Sequence, residues 1–145
     1  MKIAMIKRIW LVVVFIPLIV FSANVRAKDI LIIVNESVGI DEIEKRMLTE
    51  IYQGIRIQWD NGEMIRVVML KSGPVHENFA DNVIGISPSK LITIWKKAIF
   101  TGTGSPPKIF RDETELVRYI AETKGSVGYI DASTPHKGVK ILSLK

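Results

Sequence analysis

Blocks of apolar and polar residues alternate along this chain and predict its strands and helices. After residue 28, short apolar runs indicate strands, at positions 30–34, 65–70, 108–110, 127–130 and 139–144. Apolar residues spaced three or four apart indicate helices, which follow four start signals: Asp41 with Glu44, Pro74, Ser87 with Pro88, and Asp112 with Glu115. Gly54 is expected to end the first of these helices.

The order of these elements predicts the fold class. Strands that alternate with capped helices are typical of an α/β structure with a mostly parallel sheet flanked by helices. The final strand follows a loop of only residues 131–138, which is too short for a helical crossover. We therefore expect the last strand to pair antiparallel at an edge of the sheet.

The first 27 residues have the three-part pattern of a secretory signal peptide. Lys2, Lys7 and Arg8 precede an apolar run over residues 9–21, and a short segment ends at Ala27. An uncleaved anchor is the alternative, but a 13-residue run spans only about 20 Å as a helix, against about 30 Å of hydrocarbon. We expect cleavage after Ala27 and one exported, periplasmic domain over 28–145 with no membrane span.

Export changes the interpretation of the charge. The full chain carries 20 basic and 15 acidic residues, a net charge of +5. Four basic residues but no acidic ones lie in the first 27 positions, so residues 28–145 carry a net charge of only +1. A nearly neutral domain without a basic stripe gives no electrostatic reason to expect nucleic-acid binding.

The residue types that support catalysis or metal binding are scarce. The chain has no cysteine, which excludes disulfides and thiol chemistry, and its two histidines, His76 and His136, have no metal-ligand spacing. Acidic clusters at 41–44 and 112–115 fall in predicted first helical turns, where capping alone favours acids. We therefore predict no metal, no cofactor and no enzymatic activity.

Three segments resemble the periplasmic phosphate-binding proteins, the soluble receptors of phosphate ABC transporters. Residues 48–61 resemble the family's helix that is followed by Gly and then by Trp-x-Asn. Residues 65–79 resemble its strand, Ser-Gly loop and helix. Residues 125–129 resemble its Gly-x-Ile-Gly-Tyr strand. The match is closest to short, exported, single-domain relatives, in which Phe-Thr-Gly at 100–102 is also familiar. It implies one lobe of a type II periplasmic-binding-protein fold.

The resemblance also implies an anion site in the loop after the second strand. The family holds phosphate there with a basic side chain, hydroxyls and helix amides, which this chain matches with Lys71, Ser72 and Gly73. The chain departs from the family pattern because lysine replaces an arginine, the acid is absent, and Pro74 removes one amide donor. The alternative interpretation is an ordinary helix cap.

Two further segments are candidates for anion contact. Thr101, Gly102 and Thr103 lie in a predicted irregular loop whose glycine backbone can approach a ligand, although a plain connecting loop explains them as well. Asn35 and Ser37 follow the first strand, which in a parallel sheet places them at the edge where α/β sheets bind ligands. Both are also common turn residues.

The sequence thus supports two main hypotheses. The first is an exported domain that resembles a phosphate receptor and binds phosphate or another small oxyanion at most weakly. The second is a ligand-free interaction module that keeps the fold without the cleft and contacts another envelope protein. A third, an enzyme that acts on phosphate esters, lacks a recognisable catalytic group.

Overall fold

The computed structural model describes residues 29–145, so the predicted signal peptide and its cleavage site lie outside the described residues. In this range the strands are β1 (Ile30–Val34), β2 (Glu42–Ile43), β3 (Arg66–Leu70), β4 (Lys108–Phe110), β5 (Ser126–Asp131) and β6 (Lys140–Leu144). The helices are α1 (Lys45–Tyr52), α2 (Pro74–Asn78), α3 (Pro88–Thr101) and α4 (Glu113–Glu122), and a π-helical segment (Phe79–Ile84) continues α2.

The described strands form one sheet in the order β2-β6-β1-β5-β3-β4. β3 is parallel to β4 and β5, and β2 is parallel to β6. β1 is antiparallel to both of its neighbours, β5 and β6. Five of the six described strands therefore share one direction, which confirms the predicted α/β fold with a mostly parallel sheet.

The last strand differs in position from its prediction. β6 pairs antiparallel with β1 as expected, but β2 lies on its outer side, so β6 is not at the edge. The same pairing overturns the predicted capping box at Asp41, because the following residues join the sheet and α1 begins only at Lys45. The Asp41 carboxylate instead accepts a hydrogen bond from Lys140 Nζ at 3.1 Å.

Two other predicted helix starts are confirmed by their side-chain hydrogen bonds. Asp112 Oδ1 accepts from the backbone N–H groups of Thr114 at 2.7 Å and Glu115 at 3.1 Å. Ser87 Oγ accepts from the N–H of Lys90 at 3.3 Å. These bonds satisfy amide groups that have no partner within the helix, so α4 and α3 begin where the sequence predicts.

Helices pack on both faces of the sheet, and neighbouring residues of β5 show how. On one face Gly128 makes room for α4, since a Cβ added there would lie 2.6 Å from Ile120 Cδ1. On the other face the buried Tyr129 stacks on Phe79, with ring centroids 3.7 Å apart. The Tyr52 ring of α1 lies 6.0 Å from Tyr129 and completes an aromatic cluster. Such rings contribute large buried apolar areas.

α3 is the longest helix of the described part, at 14 residues. It packs inward through Leu91 and Trp95, whereas Ile92, Ile99 and Phe100 are exposed, Phe100 to 94%. No helix within residues 29–145 is long and apolar enough to cross a membrane.

Candidate functional site

The loop 71–73 joins the carboxyl end of β3 to α2. The apolar run of β3 ends at Leu70, and the next two residues, Lys71 and Ser72, are exposed. Gly73 has a φ of +103°, which side chains disfavour, and Pro74 is the first residue of α2, as predicted. The turn therefore places one ammonium group and one hydroxyl in solvent at the edge of the sheet.

Arg111 is a second cation at this edge that the sequence analysis missed. β4 is parallel to β3, with Phe110 opposite Leu70, so the residues after them are neighbours. The N–H of Lys71 donates to the carbonyl of Phe110 at 2.8 Å, which fixes this alignment. The sequence analysis predicted a mostly parallel sheet but did not pair these two strands. Their parallel pairing would have placed Arg111 beside Lys71, since parallel strands end at the same edge.

A buried polar pair lies below the loop. The Tyr129 hydroxyl accepts from the N–H of Leu70 at 3.0 Å and lies 2.5 Å from His76 Nδ1. The tautomer of His76 decides which of these two atoms donates, since the hydroxyl can either give its own proton to Nδ1 or accept one from Nδ1–H. Burial lowers the pKa of His76, against the opposing effect of Glu77 and Asp81, and raises the pKa of Tyr129. The pair fixes the end of β3 against α2.

Asn35 and Ser37 lie at the opposite edge of the sheet, so their predicted location is wrong. The prediction assumed a β1 parallel to its neighbours, whereas β1 is antiparallel to β5. The end of β1 consequently meets the start of β5, where the N–H of Asn35 donates to the carbonyl of Ser126 at 3.0 Å. These residues cannot join Lys71 around one small anion.

The polar groups of Asn35 and Ser37 are also used within the chain. Asn35 Nδ2 donates to two carbonyls at the end of α4, at 2.7 and 3.0 Å. Ser37 Oγ donates to Glu63 Oε2 and accepts from the N–H of Gly125, both at 3.0 Å. Both side chains tie loops together, which gives them a structural role.

Thr101 belongs to a helix, so the predicted irregular loop begins at Gly102 and not at Phe100. α3 continues through Thr101, whose hydroxyl donates to the carbonyl of Lys97 at 2.9 Å. Gly102 ends the helix with a φ of +69°, and the N–H of Thr103 donates to the carbonyl of Ala98 at 3.0 Å. Gly102 and Thr103 lie beside the starts of β3 and β4, roughly 15 Å along the strand from the Lys71 loop.

The acidic and histidine side chains of the described residues are not clustered as metal ligands. Within residues 29–145, no group of three or more His, Asp or Glu side chains could hold a metal ion. His76 is buried against Tyr129, and His136 Nδ1 lies 2.7 Å from the carbonyl of Thr134. Of the predicted anion-binding residues, Lys71, Ser72 and Gly73 remain together as a candidate site.

Three solved structures share this fold over 81% of the chain. They are an ABC-type phosphate transport receptor from Vibrio cholerae (17% identity, TM-score 0.63), a putative phosphate ABC transporter substrate-binding protein with bound phosphate from Clostridium perfringens (16%, 0.65) and PstS from Borrelia burgdorferi (18%, 0.63). The chain is a structural relative of phosphate-binding receptors. The resemblance stated from the sequence is thereby confirmed at the level of the fold.

The relationship to these phosphate receptors is partial. The chain covers 47%, 45% and 47% of the Vibrio, Clostridium and Borrelia proteins, so it spans less than half of their length. This agrees with the predicted single lobe. No protein-family model and no curated protein matches the sequence.

The residues that carry the resemblance to phosphate receptors are packing residues. Trp59 Nε1 donates to the carbonyl of Gly125 at 2.9 Å, which joins the first and third of the similar segments. Phe79 of the second segment stacks on Tyr129 of the third. These residues of the shared motifs therefore contribute to the packing of the fold.

Proposed function

We propose that this protein is an exported, non-enzymatic domain of the solute-binding type that binds phosphate or another small oxyanion weakly at the Lys71–Gly73 loop. The observation that supports this proposal is the position of Lys71 and Arg111 directly after two neighbouring parallel strands, in a fold shared with phosphate receptors. Within the described residues, neither cation forms an ion pair. Two unpaired cations at one edge attract an anion.

The expected affinity is low for physical reasons. Each exposed cation contributes roughly 0.2–1 kcal/mol, whereas micromolar binding needs about 8 kcal/mol. α2 has only five residues, and Pro74 at its start has no N–H to donate. The two cations together contribute at most about 2 kcal/mol, so the expected dissociation constant is about 1 mM or weaker, which corresponds to roughly 4 kcal/mol or less.

Titration with phosphate tests the proposal. In the purified protein, phosphate at up to 20-fold the expected dissociation constant should shift the amide NMR signals of Ser72 and Gly73 and raise the melting temperature, while chloride at equal ionic strength should not. Lys71→Ala and Arg111→Ala should each weaken binding about threefold, as loss of one screened charge implies. Lys137→Ala, a distant exposed lysine, is the matched control.

Two results would reject phosphate binding at this loop. If the NMR signals and the melting temperature do not change at high phosphate concentration, the protein does not bind phosphate. An affinity unaffected by Lys71→Ala would show that the anion binds elsewhere. Turnover of a phosphate monoester by the purified protein would contradict the non-enzymatic role.

The export part of the proposal has its own test. We expect the protein recovered from the periplasm of its native cell to begin at Lys28, because the pattern of residues 1–27 ends at Ala27. Mass spectrometry of the intact protein measures this directly. Recovery of the full-length chain in the membrane fraction would show that residues 1–27 act as an uncleaved membrane anchor and not as a signal peptide.

A ligand-free interaction module is the second candidate function. It is favoured by the exposed apolar side chains of α3, Ile92, Ile99 and Phe100, since exposed apolar patches often mark protein–protein interaction sites. Capture of the same envelope protein with and without phosphate, and its loss in Phe100→Ser, would support this function over anion binding.

A further inference from the structure

A groove of about 670 Å³ opens at the edge of the sheet opposite the Lys71 loop. Its walls are the starts of β3 and β4, the segment after α1 and the loop 102–107 that follows α3. This volume is typical of sites for small organic ligands. The groove shares no residue with the proposed phosphate site, so the two can be tested independently.

The groove is positively charged. Arg56, Arg66 and Lys108 line it, and none of the described lining residues is an aspartate or a glutamate. Arg56 is paired with Asp60, which compensates one of the three charges. Arg66 and Lys108 are exposed and form no ion pair within residues 29–145. Arg66 and Lys108 thus line a space without acids, with Lys108 Nζ 6.0 Å from the centroid of the Phe110 ring.

The floor of the groove is an indole ring with an unused donor. Trp95 is only 6% exposed, and its ring lies between Gly54 and Gly104, where added Cβ atoms would be 3.3 and 3.6 Å from it. The Trp95 Nε1–H and the Arg56 Nε–H are buried and have no hydrogen-bond partner among the described residues. Such unpaired buried donors are rare and destabilising.

We propose that this groove is a second ligand-binding site, for a small organic anion that carries an apolar ring or chain. Arg66 and Lys108 would hold the anionic group, with the hydroxyl of Ser105 as a further donor. The apolar part would lie on Trp95 and the apolar walls. A bare inorganic anion fits less well, because it would lose water against those walls without an apolar gain.

A pair of dyes that differ by one sulfonate tests the proposal. 8-Anilinonaphthalene-1-sulfonate carries the charge, and N-phenyl-1-naphthylamine is its uncharged counterpart. We expect the sulfonate to bind the purified protein at least several times more tightly than the neutral dye. Its binding should shift the amide NMR signals of Gly102 and Gly104 and leave those of Ser72 and Gly73 in place.

Charge-matched variants distinguish binding in this groove from nonspecific electrostatic attraction of the dye to the protein. Arg66→Gln with Lys108→Gln should weaken sulfonate binding about tenfold, as loss of two partly screened charges implies, and leave the neutral dye unaffected. Lys90→Gln with Lys137→Gln removes the same net charge from exposed positions outside the groove and should change neither affinity. The substituted side chains are exposed, and melting temperatures will confirm folding.

Three outcomes would overturn the proposal: equal affinity for the two dyes, equal loss in the two double variants, or NMR shifts confined to the Lys71 loop. The mapping of NMR shifts uses the unsubstituted protein, so it decides the question even if a variant fails to fold. Because phosphate is not a probe in this experiment, failure of this proposal would not count against the proposed phosphate site.

Discussion

Gly125 and His76 show how single residues are constrained by contacts far along the chain. Gly125 has a φ of +72°, and a Cβ added there would lie 2.2 Å from the carbonyl oxygen of Met64. His76, in the first turn of α2, is buried against Tyr129 of β5. The sequence analysis recognised the motif at residues 125–129 but not the contacts that require it, because those contacts join residues about 60 positions apart.

Gly125→Ala is expected to destabilise the protein by more than about 3 kcal/mol, since a strained φ costs roughly 1–2 kcal/mol and the backbone clash adds to it. Gly62→Ala is the matched control, because Gly62 has a φ of +84° but no atom within 4 Å of the added Cβ. Urea unfolding should give the control a loss of about 1 kcal/mol. Equal losses of unfolding free energy in the two variants would show that the approach to the Met64 carbonyl does not add to the destabilisation.

His76 should make the protein less stable in mild acid. Its pKa is lowered by burial in the folded state, so the unfolded chain takes up the proton first as pH falls. Its contribution is thus present above about pH 6.5, the ordinary histidine pKa, and is lost as pH falls through the folded value. In urea unfolding between pH 7.5 and 5, His76→Gln should show a shallower decline than the parent protein. A parent-like slope in His76→Gln would contradict this assignment.

At the scale of elements, local signals predicted most helices and strands and failed where distant strands pair. Asp112 and Asp41 carry the same signal, an acid followed three residues later by a glutamate. Asp112 caps α4, whereas the residues after Asp41 join β6 and delay the start of α1. A sheet pairing about 100 residues away thus outweighed a local capping preference worth about 1 kcal/mol.

The two aspartates provide a matched pair of substitutions. Asp112→Ala should reduce the free energy of unfolding by about 1 kcal/mol, because two amide hydrogen bonds lose their acceptor. Asp41→Ala should cost at most about 0.5 kcal/mol, since it removes only a surface ion pair with Lys140. Urea unfolding of both variants measures the difference. An equal or larger loss in Asp41→Ala would indicate that the capping box forms after all.

At the scale of the whole molecule, the direction of β1 decides which candidate residues can meet. A parallel β1 would have placed Asn35 and Ser37 at the same edge of the sheet as Lys71, but the antiparallel strand places them at the other edge. The same sheet places β6 between β1 and β2, with Leu142 buried at 3% exposure. The C-terminal strand is therefore part of the core and not an addition to its edge.

Removal of residues 139–145 should unfold the domain. The deletion exposes one side of β1, whose N–H and C=O groups would lose their partners, and it leaves β2 unpaired. Circular dichroism and amide NMR spectra should show loss of the cooperative transition. A truncated protein that melts cooperatively within about 5 °C of the parent would show that β6 is dispensable.

The sequence by itself determined the α/β class, most element positions and the Lys71–Ser72–Gly73 turn, because apolar periodicity, caps and Gly-Pro turns act over a few residues. The tertiary structure decided the direction of β1, the interior place of β6, the neighbourhood of Lys71 and Arg111, and the groove beside Trp95. These features depend on which distant strands exchange hydrogen bonds. That choice is made by the packing of the whole sheet, which local patterns do not encode.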